Sequence, residues 1–165
     1  MRKRGIITFN HGQGTADNQL TFRRTNYDKR ARLLVIDDDA VHRMIICKMA
    51  LKAGLATFEA ENCGDVVRLT TSNDFECATL DLSLGERAGT EVLRHFSICG
   101  FRAPIVIVSG ADADTTQHAL DLGNWLGLKM LDPVGKPVDL PRFRDIFEKV
   151  AAQWQELLRL DSAAV

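Results

Sequence analysis

ATLDLSLGERAG, residues 78–89, is the segment on which our prediction of the fold rests. A short apolar run ends there on one carboxylate, Asp81, and Gly85 and Gly89 bracket the polar loop that follows. An aspartate at the C-terminal tip of a buried strand lies where open parallel sheets bind their ligands. Taken alone, such an aspartate more often caps the next helix. Here, however, three more strand-like runs also end on chemically useful polar residues.

The composition indicates one soluble globular domain, because 165 residues with 45% hydrophobic and 26% charged side chains are typical of that class. A net charge of -1 argues against a general nucleic-acid or membrane binder. No apolar run approaches the roughly 18 residues needed to span a membrane. The four cysteines (Cys47, Cys63, Cys77 and Cys99) form no CxxC pair. We therefore expect free, mostly buried thiols and a cytoplasmic location.

The first 30 residues read as a flexible, basic N-terminal extension. Residues 1–32 carry eight basic side chains against two acidic ones, and few of their side chains have apolar surface to bury. An alternative is an arm that docks on a partner or on a second copy. Its anchors would be Ile6, Ile7, Phe9, Leu20 and Phe22. A short run of charges is weak evidence for nucleic-acid binding, which we do not expect.

The body of the chain, residues 31–160, alternates strand-like with helix-like segments. Strands are predicted at residues 32–36, 56–60, 75–80, 104–108 and, more weakly, 129–133. Helices are predicted at residues 40–53, 65–70, 90–97, 111–122 and from about 140 to 160, with residues 161–165 as a tail. Asp39 is the expected N-cap of the first helix and Gly54 its stop, and Asp112 or Asp114 begins the fourth. This pattern predicts an α/β fold, a doubly wound five-stranded parallel sheet with an extended last helix.

Four strand ends carry the candidate chemistry, because parallel strands bring their C-terminal tips to one edge of the sheet. The side chains concerned are those of Asp37, Asp38, Asp81, Ser109 and Lys136. Three carboxylates about 4 Å apart repel by roughly 4 kcal/mol per pair at an effective dielectric constant near 20, so cations must offset them. A lysine supplies one charge, and open carboxylate sites suit Mg²⁺. A hydroxyl and an ammonium opposite the metal would clamp a phosphate, which the remaining carboxylate would attack.

Four motifs together resemble the receiver domain of two-component response regulators, the CheY-like family. They are VIDDDA at 35–40, TLDLSL at 79–84, IVSG at 107–110 and GKP at 135–137. The resemblance implies a flavodoxin-like (βα)5 fold. It also implies a single-domain signalling switch or phosphorelay intermediate without an output domain, acting through protein–protein interaction. Such a protein catalyses only its own phosphorylation and dephosphorylation.

The resemblance also implies a role for each site residue. Asp81 would accept the phosphoryl group from a phosphohistidine of a sensor histidine kinase. Asp38 would ligate Mg²⁺ directly, Asp37 largely through water, and the backbone carbonyl of Ser83 would be a further ligand. Ser109 would move toward the acyl phosphate and Lys136 would pair with it.

Two positions depart from the family pattern. Gly85 stands where many receivers have proline, and Pro133 stands three residues before Lys136, where receivers usually carry a switching Tyr or Phe. Proline has no rotamer to swing and no N–H to give to the sheet. We therefore expect phosphorylation at Asp81 to be retained, with an unusual readout.

Two other functions remain open from the residues. A haloacid-dehalogenase-type phosphatase would use Asp37 as nucleophile with Asp39, but it leaves Asp81 unexplained and needs a GDxxxD-like pair that is missing after Lys136. A phosphorylation-independent binding module would keep an unused carboxylate cluster that only destabilises its fold. Label on Asp81 indicates a receiver, whereas label on Asp37 indicates a phosphatase.

The remaining predictions concern histidines and the last helix. His11, His42, His95 and His118 read as surface or satisfied side chains with no metal role. Trp154 taken alone would more often be a core residue, but Trp154, Leu157 and Leu158 lie beyond the expected sheet, where we expect them to have nothing of their own chain to cover. The extended helix is therefore a candidate for pairing with a second copy or with a partner helix.

Overall fold

A computed structural model of the chain describes residues 29–84 and 88–163. The strands are β1 (Arg32–Ile36), β2 (Ala56–Ala60), β3 (Cys77–Asp81), β4 (Ile105–Ser109) and β5 (Val134–Gly135). The helices are α1 (Ala40–Lys52), α2 (Cys63–Ser72), α3 (Ala88–Ile98), α4 (Ala113–Trp125) and α5 (Leu140–Ala163). All neighbouring strands pair in parallel, in the order β2-β1-β3-β4-β5. The predicted doubly wound α/β fold is confirmed, whereas nearly all of the N-terminal extension lies outside the described residues.

Two hydrophobic cores cover the two faces of the sheet, because successive side chains of a strand point to opposite faces. The α2–α4 core joins Leu34, Ile36, Ala78, Leu80, Ile105 and Ile107 to helices α2, α3 and α4. The α1–α5 core joins Leu33, Val35, Cys77, Val106, Val108 and Val134 to helices α1 and α5. Strands that are buried on both faces read as continuous apolar runs, which is why the sequence shows them so clearly.

The same alternation assigns the candidate site residues to faces. Asp37 lies two positions after Val35, and Asp81 lies four positions after Cys77, so both carboxylates belong to the side of the α1–α5 core. Ser109 follows Ile107 by two positions and belongs to the opposite side. The acids are therefore within reach of α1 and of the segment that leads into α5.

Helix boundaries follow their caps. The carboxylate of Asp39 accepts hydrogen bonds from the backbone N–H groups of Val41 and His42, and Gly54 adopts a φ of 85° just after α1. The side chain of Asn62 accepts from the N–H of Asp65, which starts α2 at Cys63 instead of residue 65. The predictions of Asp39 as N-cap and Gly54 as stop are confirmed, and the fourth helix begins after Asp112.

The fifth strand was predicted at residues 129–133, and that prediction is wrong. Met130 forms only an isolated bridge with Ile105, and regular pairing begins at Val134, opposite Val108. The reason is Pro133, which has no N–H to donate to a sheet ladder, so the strand starts immediately after it.

α5 runs for 24 residues to Ala163, slightly further than predicted, and no helix in the described part of the chain is long and apolar enough to cross a membrane. The expectation that Trp154 covers nothing in its own chain is wrong. Its ring packs against the α1–α5 core, and its Nε1–H donates to the carbonyl of Lys29 at 2.8 Å. Leu157 is exposed and Leu158 is half-buried, so pairing of α5 with a second copy or with a partner helix stays a prediction that rests on them.

A buried hydroxyl in β3 provides a test of the core. Thr79 is 1% exposed, and its Oγ1 has no hydrogen-bond partner among the described residues. Burial of an unpaired hydroxyl is unfavourable, so we expect Thr79→Val to raise the free energy of unfolding by about 1 kcal/mol in urea titrations. The control is Thr71→Val, whose exposed hydroxyl bonds the carbonyl of Val67 and whose loss should change little. A less stable Thr79→Val variant would show that the hydroxyl has a partner.

Candidate functional site

The loop between β1 and α1 carries two of the acids in different environments. Asp37 is 1% exposed, and its Oδ1 accepts the N–H of Asp39 at 2.8 Å. Asp38 is exposed. The carboxylate of Asp39 is occupied as the cap of α1, which lowers its pKa through the hydrogen bonds from His42 and Val41. Asp37 and Asp38 are therefore the acids of this loop that remain available to a ligand.

Asp81 ends β3 and is as buried as Asp37. Its Oδ1 accepts the N–H of Ser83 at 3.1 Å, which fixes the orientation of the carboxylate. The loop after it passes close to α3, since a Cβ on Gly89 would lie 3.2 Å from the Cα of Leu82. Gly89 therefore permits an approach that a side chain would obstruct. Gly85 lies outside the described residues.

Lys136 follows β5 and joins the two buried acids. Its Nζ lies 2.8 Å from Oδ2 of Asp81 and 3.1 Å from Oδ2 of Asp37. Burial acts to lower the pKa of Lys136, but the hydrogen bonds and charges of Asp81 and Asp37 together outweigh it and raise that pKa. The side chain is therefore a stable ammonium at neutral pH.

Three carboxylates converge on one point at the edge of the sheet. Ligand oxygens of Asp37, Asp38 and Asp81 all lie within 4.8 Å of one another. At that separation each pair of charges repels by roughly 3 kcal/mol at an effective dielectric constant near 20. The ammonium of Lys136 offsets only one of the three negative charges. A hard oxygen donor set with two uncompensated charges fits a divalent ion such as Mg²⁺.

Ser109 ends β4, the strand next to β3, and its hydroxyl makes a local hydrogen bond. Its Oγ accepts the N–H of Ala111 at 2.9 Å, and its carbonyl accepts the N–H of Lys136 at 3.0 Å. Within the described part of the chain, no hydrogen bond joins its hydroxyl to the acids or to the ammonium. The structure thus brings together Asp37, Asp38, Asp81 and Lys136, with Ser109 adjacent on the other side of the sheet.

Sequence reasoning missed two residues of α1. His42, predicted to be a surface or satisfied side chain, has its Nδ1 3.1 Å from Nζ of Lys136 and 3.8 Å from Oδ2 of Asp37. Arg43 donates to the carbonyls of Asp37 at 2.7 Å and Asp38 at 3.1 Å. Their position in the sequence could have indicated this, because the first turn of a helix that follows a strand lies beside the C-terminal end of that strand.

Arg43 also binds the neighbouring strand. Its guanidinium lies 3.4 Å from the carboxylate of Glu59 and 3.7 Å from that of Glu61. The side chain is only 12% exposed, so these contacts form in a partly desolvated position. Arg43 therefore ties the acid-bearing loop to the end of β2 and holds its carbonyls in place.

One family model and several known proteins are similar to this chain. A family model described as the response regulator receiver domain matches residues 33–148. Sporulation initiation phosphotransferase F of Bacillus subtilis is 24% identical over 119 residues, 72% of this chain and 91% of that protein. Cyclic di-GMP phosphodiesterase RocR of Pseudomonas aeruginosa is 26% identical over 129 residues, 77% of this chain. The chain spans only about a third of the length of RocR (33%).

Solved structures agree in fold. A response regulator from Colwellia psychrerythraea superposes with a TM-score of 0.66 at 20% identity, covering 74% of this chain and 98% of the other. A response regulator from Burkholderia pseudomallei, solved with a phosphorylated aspartic acid, calcium ion and citrate, gives 0.59 at 23% identity, covering 79% and 74%. The chain belongs to the response regulator receiver domain family and is a signalling module of two-component systems. This membership leaves the haloacid-dehalogenase alternative without support.

Proposed function

We propose that this chain is a phosphoryl-accepting switch that a sensor histidine kinase or a phosphotransferase phosphorylates on Asp81. The observation that carries the proposal is the Asp81 carboxylate itself. It is buried at the tip of β3, held 2.8 Å from a lysine ammonium, and shares one point with two further acids. Mg²⁺ would be held by Asp37, Asp38, Asp81 and the backbone carbonyl of Ser83.

The chain's own residues support an in-line phosphoryl transfer. A carboxylate oxygen of Asp81 attacks the phosphorus of the donor phosphohistidine, so that a P–O bond forms while the P–N bond breaks and the imidazole leaves on the donor. The N–H of Ser83 orients the carboxylate, and the ammonium of Lys136 is positioned to pair with a phosphoryl oxygen. When bound, the metal ion neutralises charge on the acids and on the phosphoryl oxygens.

The readout proceeds without the usual aromatic residue, because Pro133 occupies that position. Ser109 would leave the N–H of Ala111 to reach the acyl phosphate, which frees the start of the loop before α4. We propose that a protein partner reads this change and that water then slowly hydrolyses the acyl phosphate. The chain would thus serve as a switch or as a phosphorelay intermediate. Four free thiols suit a location in the cytoplasm.

The test is phosphoryl labelling with and without Mg²⁺. Incubated with a phosphorylated sensor kinase or a small acyl phosphate, the intact chain should gain the mass of one phosphoryl group on Asp81. EDTA should slow the gain by about 100-fold, because several kcal/mol of charge stabilisation are lost. Mass spectrometry of the labelled peptides locates the group. Label on Asp37 would contradict the proposal, and an unlabelled chain would favour a phosphorylation-independent module.

A further inference from the structure

We propose that His42 is a positioning residue for Lys136, an inference that rests on the proposed phosphorylation of Asp81. An ammonium has three N–H donors, and that of Lys136 has three acceptors around it. They are Oδ2 of Asp81 at 2.8 Å, Oδ2 of Asp37 at 3.1 Å and Nδ1 of His42 at 3.1 Å. The imidazole thus supplies the third acceptor and completes the hydrogen bonding of the ammonium.

The place of His42 follows from the start of α1. Its backbone N–H donates to the carboxylate of Asp39 at 3.1 Å. The next residue, Arg43, donates to the carbonyls of the loop between β1 and α1. The ring therefore approaches Lys136 from a rigid first turn and not from a mobile loop. Its side chain is 34% exposed, so the imidazole is far more accessible to solvent than the carboxylates of Asp37 and Asp81, which are 1% exposed.

The consequence concerns the freedom of a long side chain. Lysine carries a point charge on a flexible four-carbon stem, and its ammonium is ordered only by its acceptors. When Asp81 becomes an acyl phosphate, Lys136 must direct one donor to a phosphoryl oxygen while the other two hold it in place. Asp37 and His42 are the two acceptors that remain. For Nδ1 to accept from the ammonium it must carry no proton, so the proposal requires the ring proton to be on Nε2.

The test compares two substitutions at one position. His42→Leu removes the acceptor, whereas His42→Asn keeps an oxygen acceptor one bond from Cγ, where Nδ1 stands. With a small acyl phosphate as donor, which makes no protein–protein contact, His42→Leu should label Asp81 about three- to tenfold more slowly, the worth of one hydrogen bond. His42→Asn should recover most of the rate. His118→Leu, at an exposed histidine of α4, is the matched control and should label like the unaltered chain.

A second readout needs no phosphorylation. The ¹⁵N chemical shifts of the His42 ring should report the Nε2–H form in the unaltered chain, and the Nδ1 shift should move in Lys136→Met. Equal labelling rates of His42→Leu and the unaltered chain would overturn the inference. So would a His42→Asn variant as slow as His42→Leu, or an Nδ1 shift indifferent to Lys136. If the unaltered chain takes no label while the Nδ1 shift moves in Lys136→Met, the proposed phosphorylation of Asp81 is wrong, but the contact between His42 and Lys136 is supported.

Discussion

The Asp81→Asn variant is expected to take up no phosphoryl group from any donor that labels the unaltered chain. An amide oxygen is a far weaker nucleophile than a carboxylate and forms no acyl phosphate, so the loss is complete and not a change of rate. The amide has nearly the same volume, and Lys136 keeps its contact with Asp37 at 3.1 Å. The fold should therefore survive, as circular dichroism and thermal unfolding will show.

The matched control for this variant is Asp121→Asn. Asp121 is exposed on α4, where its carboxylate accepts a hydrogen bond from the side chain of Gln117 at 2.8 Å. It should be labelled at the unaltered rate under the same conditions. If the Asp81→Asn variant were still labelled, in a peptide that contains Asp37, the assignment of Asp81 as phosphoacceptor would be wrong.

The second large effect concerns stability. We expect Lys136→Met to lower the free energy of unfolding by about 3 kcal/mol in metal-free buffer, because it removes the ammonium that pairs with the buried carboxylates of Asp37 and Asp81. Mg²⁺ should recover part of this loss, and it should stabilise the variant more than the unaltered chain. Urea titrations with and without Mg²⁺ measure both quantities.

The pH dependence of this difference has a defined sign. The folded state raises the pKa of Lys136, so the contribution of the ammonium is fully present below the unfolded value of 10.5. It is lost only as pH rises through the raised folded value. On the alkaline side, the difference in free energy of unfolding between Lys136→Met and the unaltered chain should therefore persist above neutral pH and shrink only as pH rises through the raised pKa of Lys136.

Lys149→Met is the matched control for the stability measurement. Lys149 is exposed on α5, away from the acids, and its removal should change the free energy of unfolding little, with or without Mg²⁺. If Lys136→Met were as stable as Lys149→Met in metal-free buffer, the acids would not need the ammonium and the account of charge balance would be wrong.

Much of the fold could be predicted because it depends on local pattern. β1 and β2 were predicted with the observed bounds, β1 as a continuous apolar run buried in the sheet and β2 as a more polar strand, which the structure places at the sheet edge. The convergence of Asp37, Asp81 and Lys136 was also predicted, because parallel strands must bring their C-terminal tips to one edge. Their roles in phosphoryl transfer stay predictions that the experiments above test.

The tertiary structure alone placed the contacts between distant parts of the chain. Nδ1 of His42 lies beside the ammonium of Lys136 across 94 positions of sequence, and the indole of Trp154 meets the carbonyl of Lys29 across 125. No local pattern announces such pairs, because they depend on how helices pack on the finished sheet. The same reason hid His42, which is polar in sequence but lies against the ammonium once α1 docks beside β1. The local pattern of apolar and polar residues thus determines where the strands and helices lie. The packing of the helices on the sheet decides which distant side chains come into contact at the site.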